Sequence, residues 1–403
     1  MKIDDSWQYN LVPAEEIFRR VSRLQKRLGE QAVDGALILD SVNMYYYTGT
    51  MQQGLVLVPV EGEPLFLVRR SLERARLESP LQAILPLRGF SRLSATLTDL
   101  GMNVDNLGIA ESTLTVSVYK TLLKALPQTR FTDIGGALAM VRSVKSDYEV
   151  GLLRKAGAFH EKVYDAIPAM ICEGMSEWEL GAEIQKTMMA LEYTGITRFS
   201  VSGMELFLGV ISSGESGNYP TASIGPGGGL GLSPAFPFVG SKKKLGYGEP
   251  IFIDTGFGYE GYFTDKTRIF VLGALADVAM EAHERCLEIQ EAVRCRLKPG
   301  AIPSQIYREV SESLVKERCF EHHFMGFGSN HVPFLGHGIG LAIDEFPVIA
   351  AKVHTPLEAN MVIALEPKKG LEGIGLVGIE NTFLVTEKGG ERLTTGSDKV
   401  VIV

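Results

Sequence analysis

No run in the 403-residue sequence comes near the ~18 consecutive apolar residues of a membrane-spanning helix, which argues against an integral membrane protein. The opening segment MKIDDSWQYN is acidic and polar where a secretory leader would be basic and then apolar, so no leader is expected. Positive charge is in deficit. Forty Lys and Arg against 48 Asp and Glu give a formal net charge of -8, which leaves a nucleic-acid polymer little to hold. The triplet Lys242-Lys243-Lys244 is too short to reverse that balance and reads as a solvated loop. Cysteine is sparse: Cys172, Cys286, Cys295 and Cys319 form no C-x-x-C pair, and buried thiols in a cytoplasmic protein are the expectation. What remains is a globular composition, 45% hydrophobic and 22% charged, at a length that favours two domains.

The first third alternates between helical and strand-like patterns. AEEIFRRVSRLQKRLGEQ is helical and GALILD strand-like, and GLVLVPV and PLFLV flank the turn signal EGEP as neighbouring strands. LGIA, a helical stretch near 115–126 and RFTDIG continue the alternation, which predicts a small α/β domain with a mixed sheet. It carries no chemical motif. A domain boundary is expected near residues 136–147, where Ser146 and Glu149 form a capping-box pattern. Val150, Leu153, Gly157, His160, Tyr164, Ile167 and Ile171 then recur at steps of three and four, the stripe of an amphipathic helix, with His160 as a packed core histidine. Ser176 and Glu179 start a second helix, and another helical pair is expected near 275–297 and 303–318. The β-like runs PIFIDTGF, TRIFVLG, MVIALEP and VGIENTFLVTEK fall between and after these pairs, so the C-terminal part reads as one α+β unit. The stretch from Gly225 to Gly231 fits no phosphate-loop spacing and reads as a mobile loop.

Chemistry concentrates in the same half. In IFIDTGFGYEGYFTDKTRIF, a hairpin would return Asp265 towards Asp254. Two acids converging in apolar sequence repel, and a divalent cation removes the conflict. The alternative is one acid in a turn and the other paired to Arg268, and these residues alone leave both open. Gly336-His337-Gly338-Ile339-Gly340 places a histidine in a glycine-rich turn, where small neighbours let the backbone approach a buried site. Glu366 ends the apolar run MVIALEP, and Glu380 lies inside VGIENTFLVTE. Oxygen ligands with one imidazole suit Mn, Fe, Co or Zn, and four carboxylates against two divalent ions come out near neutral. Lys368 and Lys369 beside Glu366 read as a solvated pair.

The order Asp, Asp, His, Glu, Glu, set in IDTG, TDKTR, GHGIG, LEP and GIENT, resembles the methionine aminopeptidase, aminopeptidase P, prolidase and creatinase superfamily. The resemblance implies a pita-bread catalytic domain over residues 141–403, preceded by a smaller α/β creatinase-like domain over residues 1–140. It implies two divalent metal ions, Mn before Co, Fe or Zn, on Asp254, Asp265, His337, Glu366 and Glu380, with Glu366 as general base. It implies a cytoplasmic homodimer that cuts short peptides as a Xaa-Pro aminopeptidase or dipeptidase, through a metal-bridging hydroxide, without nucleic-acid or membrane partners.

Two positions depart from the family pattern. Thr221 follows SSGESGNYP where the family usually has a histidine, and Asp344 in GLAIDEFP stands where a second one is usual. Asp344, the second candidate catalytic residue, can donate a hydrogen bond only when protonated. His331 and His354 are candidate substitutes, with a surface or structural role preferred for each. These departures keep open a metal-using C–N hydrolase or lyase on the same fold, or a non-catalytic binding module.

Overall fold

The computed structural model describes residues 9–403 apart from 103, 201–204, 222–224 and 317–319, so residues 1–8 of the opening segment and Cys319 lie outside the described residues. Two compact units follow one another along the chain, divided between Arg142 and Ser143.

In the first unit, the helix Ala14–Gly29 buries Ile17, Val21, Leu24 and Leu28, one face at helical spacing. A six-stranded sheet runs in the order Ala83–Pro86, Leu65–Val68, Gly54–Pro59, Gly35–Ile38, Asn106–Ile109, Arg130–Asp133. Its central pairs around Gly54–Pro59 are antiparallel and the outer ones parallel, the mixed sheet expected of this alternation. Leu37, Leu55, Leu57, Leu65, Leu67 and Leu107 meet Leu93, Leu97 and Leu122 from the covering helices in one core.

The second unit opens with the helices Asp147–Ala166 and Glu177–Ala190, each begun by a complete capping box, Ser146 with Glu149 and Ser176 with Glu179. The first helix lies on a long hairpin, Ile251–Tyr259 and Tyr262–Val271. The hairpin closes through Glu260 and Gly261 at φ 46° and 89°, the two left-handed residues of a tight turn whose twist matches the strands. His160 is a core histidine: it is fully buried, with Nδ1 3.1 Å from Thr264 Oγ1 and Nε2 3.0 Å from Thr255 Oγ1. Gly209–Ser213 and Val401–Ile402 flank the hairpin to complete a four-stranded sheet.

A second helix pair, Asp277–Arg294 and Pro303–Val310, precedes an antiparallel five-stranded sheet. Its order is Glu345–Ala350, Phe334–Gly338, Val362–Leu365, Asn381–Thr386, Gly389–Arg392. Thr267 of the hairpin and Glu380 form a bridge that joins the two sheets.

Two expectations need correcting. Of the cysteines described, Cys286 is buried, but Cys172 and Cys295 are exposed because each sits just beyond a helix end. The glycine-rich stretch is not a free loop: residues 226–229 are buried, and a Cβ on Gly228 would meet the Gly217 carbonyl oxygen at 2.2 Å. Among the described residues no helix is long and apolar enough to cross a membrane.

Candidate metal centre

Strand register brings the two aspartates together. Asp254 lies opposite Thr267 and Asp265 opposite Gly256, so the two acids are diagonal neighbours on one face of the hairpin. Arg268 is engaged elsewhere, donating to Asn381 Oδ1 at 2.8 Å and pairing with Asp398 at 3.1 Å. That disposes of the alternative in which it neutralises one of them.

His337 lies in the strand Phe334–Gly338, opposite Ala364, and not in the glycine-rich turn that its neighbours suggested. The glycines instead permit close strand contact. A Cβ on Gly336 would meet the Ala364 carbonyl oxygen at 2.2 Å, and one on Gly338 the Phe346 carbonyl oxygen at 2.4 Å. Glu366 follows the strand Val362–Leu365, and Glu380 precedes Asn381–Thr386 at the bridge to Thr267. His337 Nε2 stands 3.3 Å from Glu366 Oε1 and 3.8 Å from Glu380 Oε1. Thr267 Oγ1 donates to Glu380 Oε2 at 3.0 Å, and the Asp265 amide donates to Thr382 Oγ1 at 2.9 Å. All five residues singled out in the sequence therefore converge on one site.

The lysines are not a solvated pair. Lys368 is fully buried and Lys369 nearly so: they face opposite sides of the strand Lys368–Leu371, which pairs with Gly375–Gly378, and both sides are covered. Lys369 Nζ donates to the carbonyl oxygens of Phe320 and His322. Lys368 Nζ lies 2.8 Å from each of Asp254 Oδ2, Glu366 Oε2 and Glu380 Oε2. The overlooked signal was local: residues two apart in an extended segment share a face, so Glu366 and Lys368 should point together.

The electrostatics are those of crowded acids out of water. Burial first, then the neighbouring Asp254 charge, pushes the Asp265 carboxyl up to about 8. Burial and Asp265 likewise raise Glu380 well above the carboxylate range. Burial works against the charged forms of His337 and Glu366 too, but their partners prevail. Glu366 and Asp265 lift His337 to about 9, while Lys368 and His337 hold Glu366 below its ordinary value.

A cation fits one part of this cluster. Asp265, His337 and Glu380 each offer a ligand atom, all within 4.8 Å of one another. Glu380 Oε1 is buried without a hydrogen-bond partner among the described residues, a costly state that a bound ion would relieve.

The centre borders a cavity of about 330 Å³, with Val210, Phe334, Ile343 and Val348 among its apolar lining. Asp344 lines it too, accepting from the Ser200 amide at 2.6 Å and the Ser200 hydroxyl at 3.0 Å. Burial raises its carboxyl above the ordinary value although both Ser200 contacts pull it down. Ser200 was not anticipated, since its partner lies 144 positions away in sequence. Thr221 is not among the described lining residues, and neither are His331 and His354, both exposed. His354 Nδ1 instead contacts Ser304 Oγ at 2.9 Å, a surface role.

Comparison with known proteins points the same way. The family profile described as metallopeptidase family M24 matches residues 151–387, and that of the creatinase/prolidase N-terminal domain matches residues 20–144. A Xaa-Pro dipeptidase of Pyrococcus furiosus is 29% identical over 379 residues, 93% of this chain and 97% of its own length. Among solved structures, a Xaa-Pro dipeptidase from Bacillus anthracis matches with a TM-score of 0.82 at 25% identity, covering 96% of this chain and 100% of that one. A prolidase from Pyrococcus furiosus gives 0.76 at 27% identity, covering 93% and 99%.

Proposed function

The chain belongs to metallopeptidase family M24, and from that premise we propose that it is a metal-dependent exopeptidase of the Xaa-Pro dipeptidase type, hydrolysing short peptides. One observation carries the reading: the buried Glu380 Oε1, without a hydrogen-bond partner among the described residues, beside Asp265 and His337 and next to a cavity of peptide-residue size.

Asp265, His337 and Glu380 would hold a divalent ion, with Mn ahead of Co, Fe and Zn because carboxylate oxygens dominate the donor set. Such an ion supplies Lewis acidity towards a peptide carbonyl. Glu366, kept ionised by Lys368 and His337, would accept a proton from an attacking water. Asp344, anchored to Ser200, shapes the cavity wall, and the apolar residues around it exclude bulk water from the reacting bond. A cytoplasmic homodimer is the working assembly we propose for it.

The test is hydrolysis of a panel of Xaa-Pro dipeptides and tripeptides by protein supplied with Mn, Co or Zn. Cleavage abolished by chelation and restored by metal is the expected result; no cleavage of any member with any metal refutes it. Because Asp344 and Thr221 stand where the family usually has histidines, small amides and amidines belong in the same panel as a second reading.

A further inference from the structure

Asp254, Asp265, Glu366 and Glu380 supply four carboxylates to one buried cluster, and the chain itself already places a cation among them. Lys368 Nζ is 2.8 Å from Asp254, 2.8 Å from Glu366 and 2.8 Å from Glu380. Three such contacts use all three donors of an ammonium group. The residue is held on both sides: its side chain is fully buried, its backbone carbonyl oxygen accepts from the Met325 amide at 2.8 Å, and its Cγ packs where a Cβ on Gly378 would lie at 2.9 Å. Gly378 is its strand partner, so the absence of a side chain there makes the room that the lysine stem fills.

Glu380 divides the cluster in two. Its Oε2 accepts from both Lys368 and Thr267, whereas its Oε1 has no hydrogen-bond partner among the described residues and faces His337 Nε2 at 3.8 Å. The unmet demand for positive charge therefore lies on the side of Asp265 and His337. A divalent ion bound instead by Asp254, Glu366 and Glu380 would need their oxygens at about 2.0–2.2 Å. That places it on top of the ammonium, which it would also repel. Formal charges, with the imidazole neutral and no bound hydroxide, agree: four carboxylates, one ammonium and one divalent ion leave a single negative charge, whereas a second ion would bury a net positive one.

We propose that Lys368 stands in for one of the two ions expected of this family's site, leaving a single divalent ion on Asp265, His337 and Glu380. The proposal rests on the metallopeptidase reading above. It predicts that the intact chain, equilibrated with excess Mn(II) or Zn(II) and freed of loose metal, retains one ion per chain, and that Lys368→Gly retains one more. With Mn(II), the wild type should give the electron paramagnetic resonance signal of an isolated ion and the variant that of a coupled pair.

Two ions in the wild type, or no gain in a folded variant, overturn the proposal. No ion in the wild type overturns both the single-ion assignment and the metal dependence of the proposed function, even where the variant gains one, whereas two ions in the wild type overturn the assignment alone. Should Lys368→Gly fail to fold, Lys368→Met keeps the apolar stem, and the wild-type count and spectrum still decide: one isolated ion upholds the proposal, while a coupled pair or none overturns it.

Discussion

The Thr267 hydroxyl donates to Glu380 Oε2 at 3.0 Å across the bridge that joins the two sheets of the catalytic unit. A residue that binds no ion itself thus fixes the orientation of one that can. Thr267→Val keeps the shape and removes the donor, so metal affinity is expected to fall by about 10-fold, the scale for losing a contact behind a ligand. Direct titration with Zn(II) checks this, alongside thermal unfolding to show an intact fold. Unchanged affinity in a folded variant removes Thr267 from the metal site.

His337 is the sole imidazole at the site among the described residues that line the cavity. His337→Ala should abolish retention of the ion, whereas Asp254→Asn, altering a partner of Lys368, should leave one ion bound. Elemental analysis of both purified variants separates these outcomes. Loss of all metal from Asp254→Asn would mean that Asp254 is itself an essential ligand.

Gly157 lies on the helix Asp147–Ala166, where a Cβ would meet the Leu393 carbonyl oxygen at 2.2 Å. Helix propensity alone favours alanine by ~1 kcal/mol, but the clash is with backbone that cannot rotate away. Overpacking of this kind costs about 1–3 kcal/mol, so Gly157→Ala should lower stability despite the better helix former. Urea denaturation measures it, and a stabilised variant would show that the helix shifts freely.

His160, bonded to Thr255 and Thr264 on the hairpin that carries Asp254 and Asp265, offers a pH test of stability. Burial, then the charges of Lys266 and Arg268, lower its pKa well below the ordinary 6.5, so it is neutral in the native state. Below about pH 6.5 the unfolded chain takes up a proton that the folded chain refuses. Stability is therefore full above that pH and declines as the pH falls towards the native pKa, at up to ~1.4 kcal/mol per unit. Urea unfolding at about pH 7 and about pH 5.5 should show a smaller acid loss in His160→Gln than in the wild type. Equal losses would show that this histidine does not carry the effect.

Local spacing made much of this legible. The capping boxes at Ser146 and Ser176 and the return of Asp265 towards Asp254 each depend on residues close in sequence, where periodicity and turn chemistry act directly. Strand neighbours were harder. His337 reads as a turn residue because glycines surround it, yet sheet pairing on both sides overrides their weak strand preference. Lys368 was the least legible. Composition sends lysine to the surface, and what buries it is a set of acids at positions 254, 366 and 380 that only the tertiary fold assembles. The pairing of Asp344, itself a sequence candidate, with Ser200 was invisible for the same reason.

That pair supports a prediction about substrate handling. Asp344 sits in the cavity lining where its relatives usually have a histidine, and both its oxygens are taken by Ser200, Oδ1 by the amide and Oδ2 by the hydroxyl. An acid so engaged is better placed to hold the Ser200 segment against the cavity than to donate to a substrate. Asp344→Ala should therefore act on binding, raising KM by about tenfold, the worth of one hydrogen-bonded contact near 1.4 kcal/mol, with kcat nearly unchanged. Ser200→Ala, which deletes one of the two contacts, should move KM in the same direction by less. Metal content should stay at the wild-type level in both, since neither residue offers an atom to the ion site. Steady-state kinetics on whichever peptide is cleaved best, with metal analysis of the same preparations, gives the answer. A fall in kcat at constant KM in Asp344→Ala would instead place this carboxyl in the chemical step, where its raised pKa would let it donate a proton.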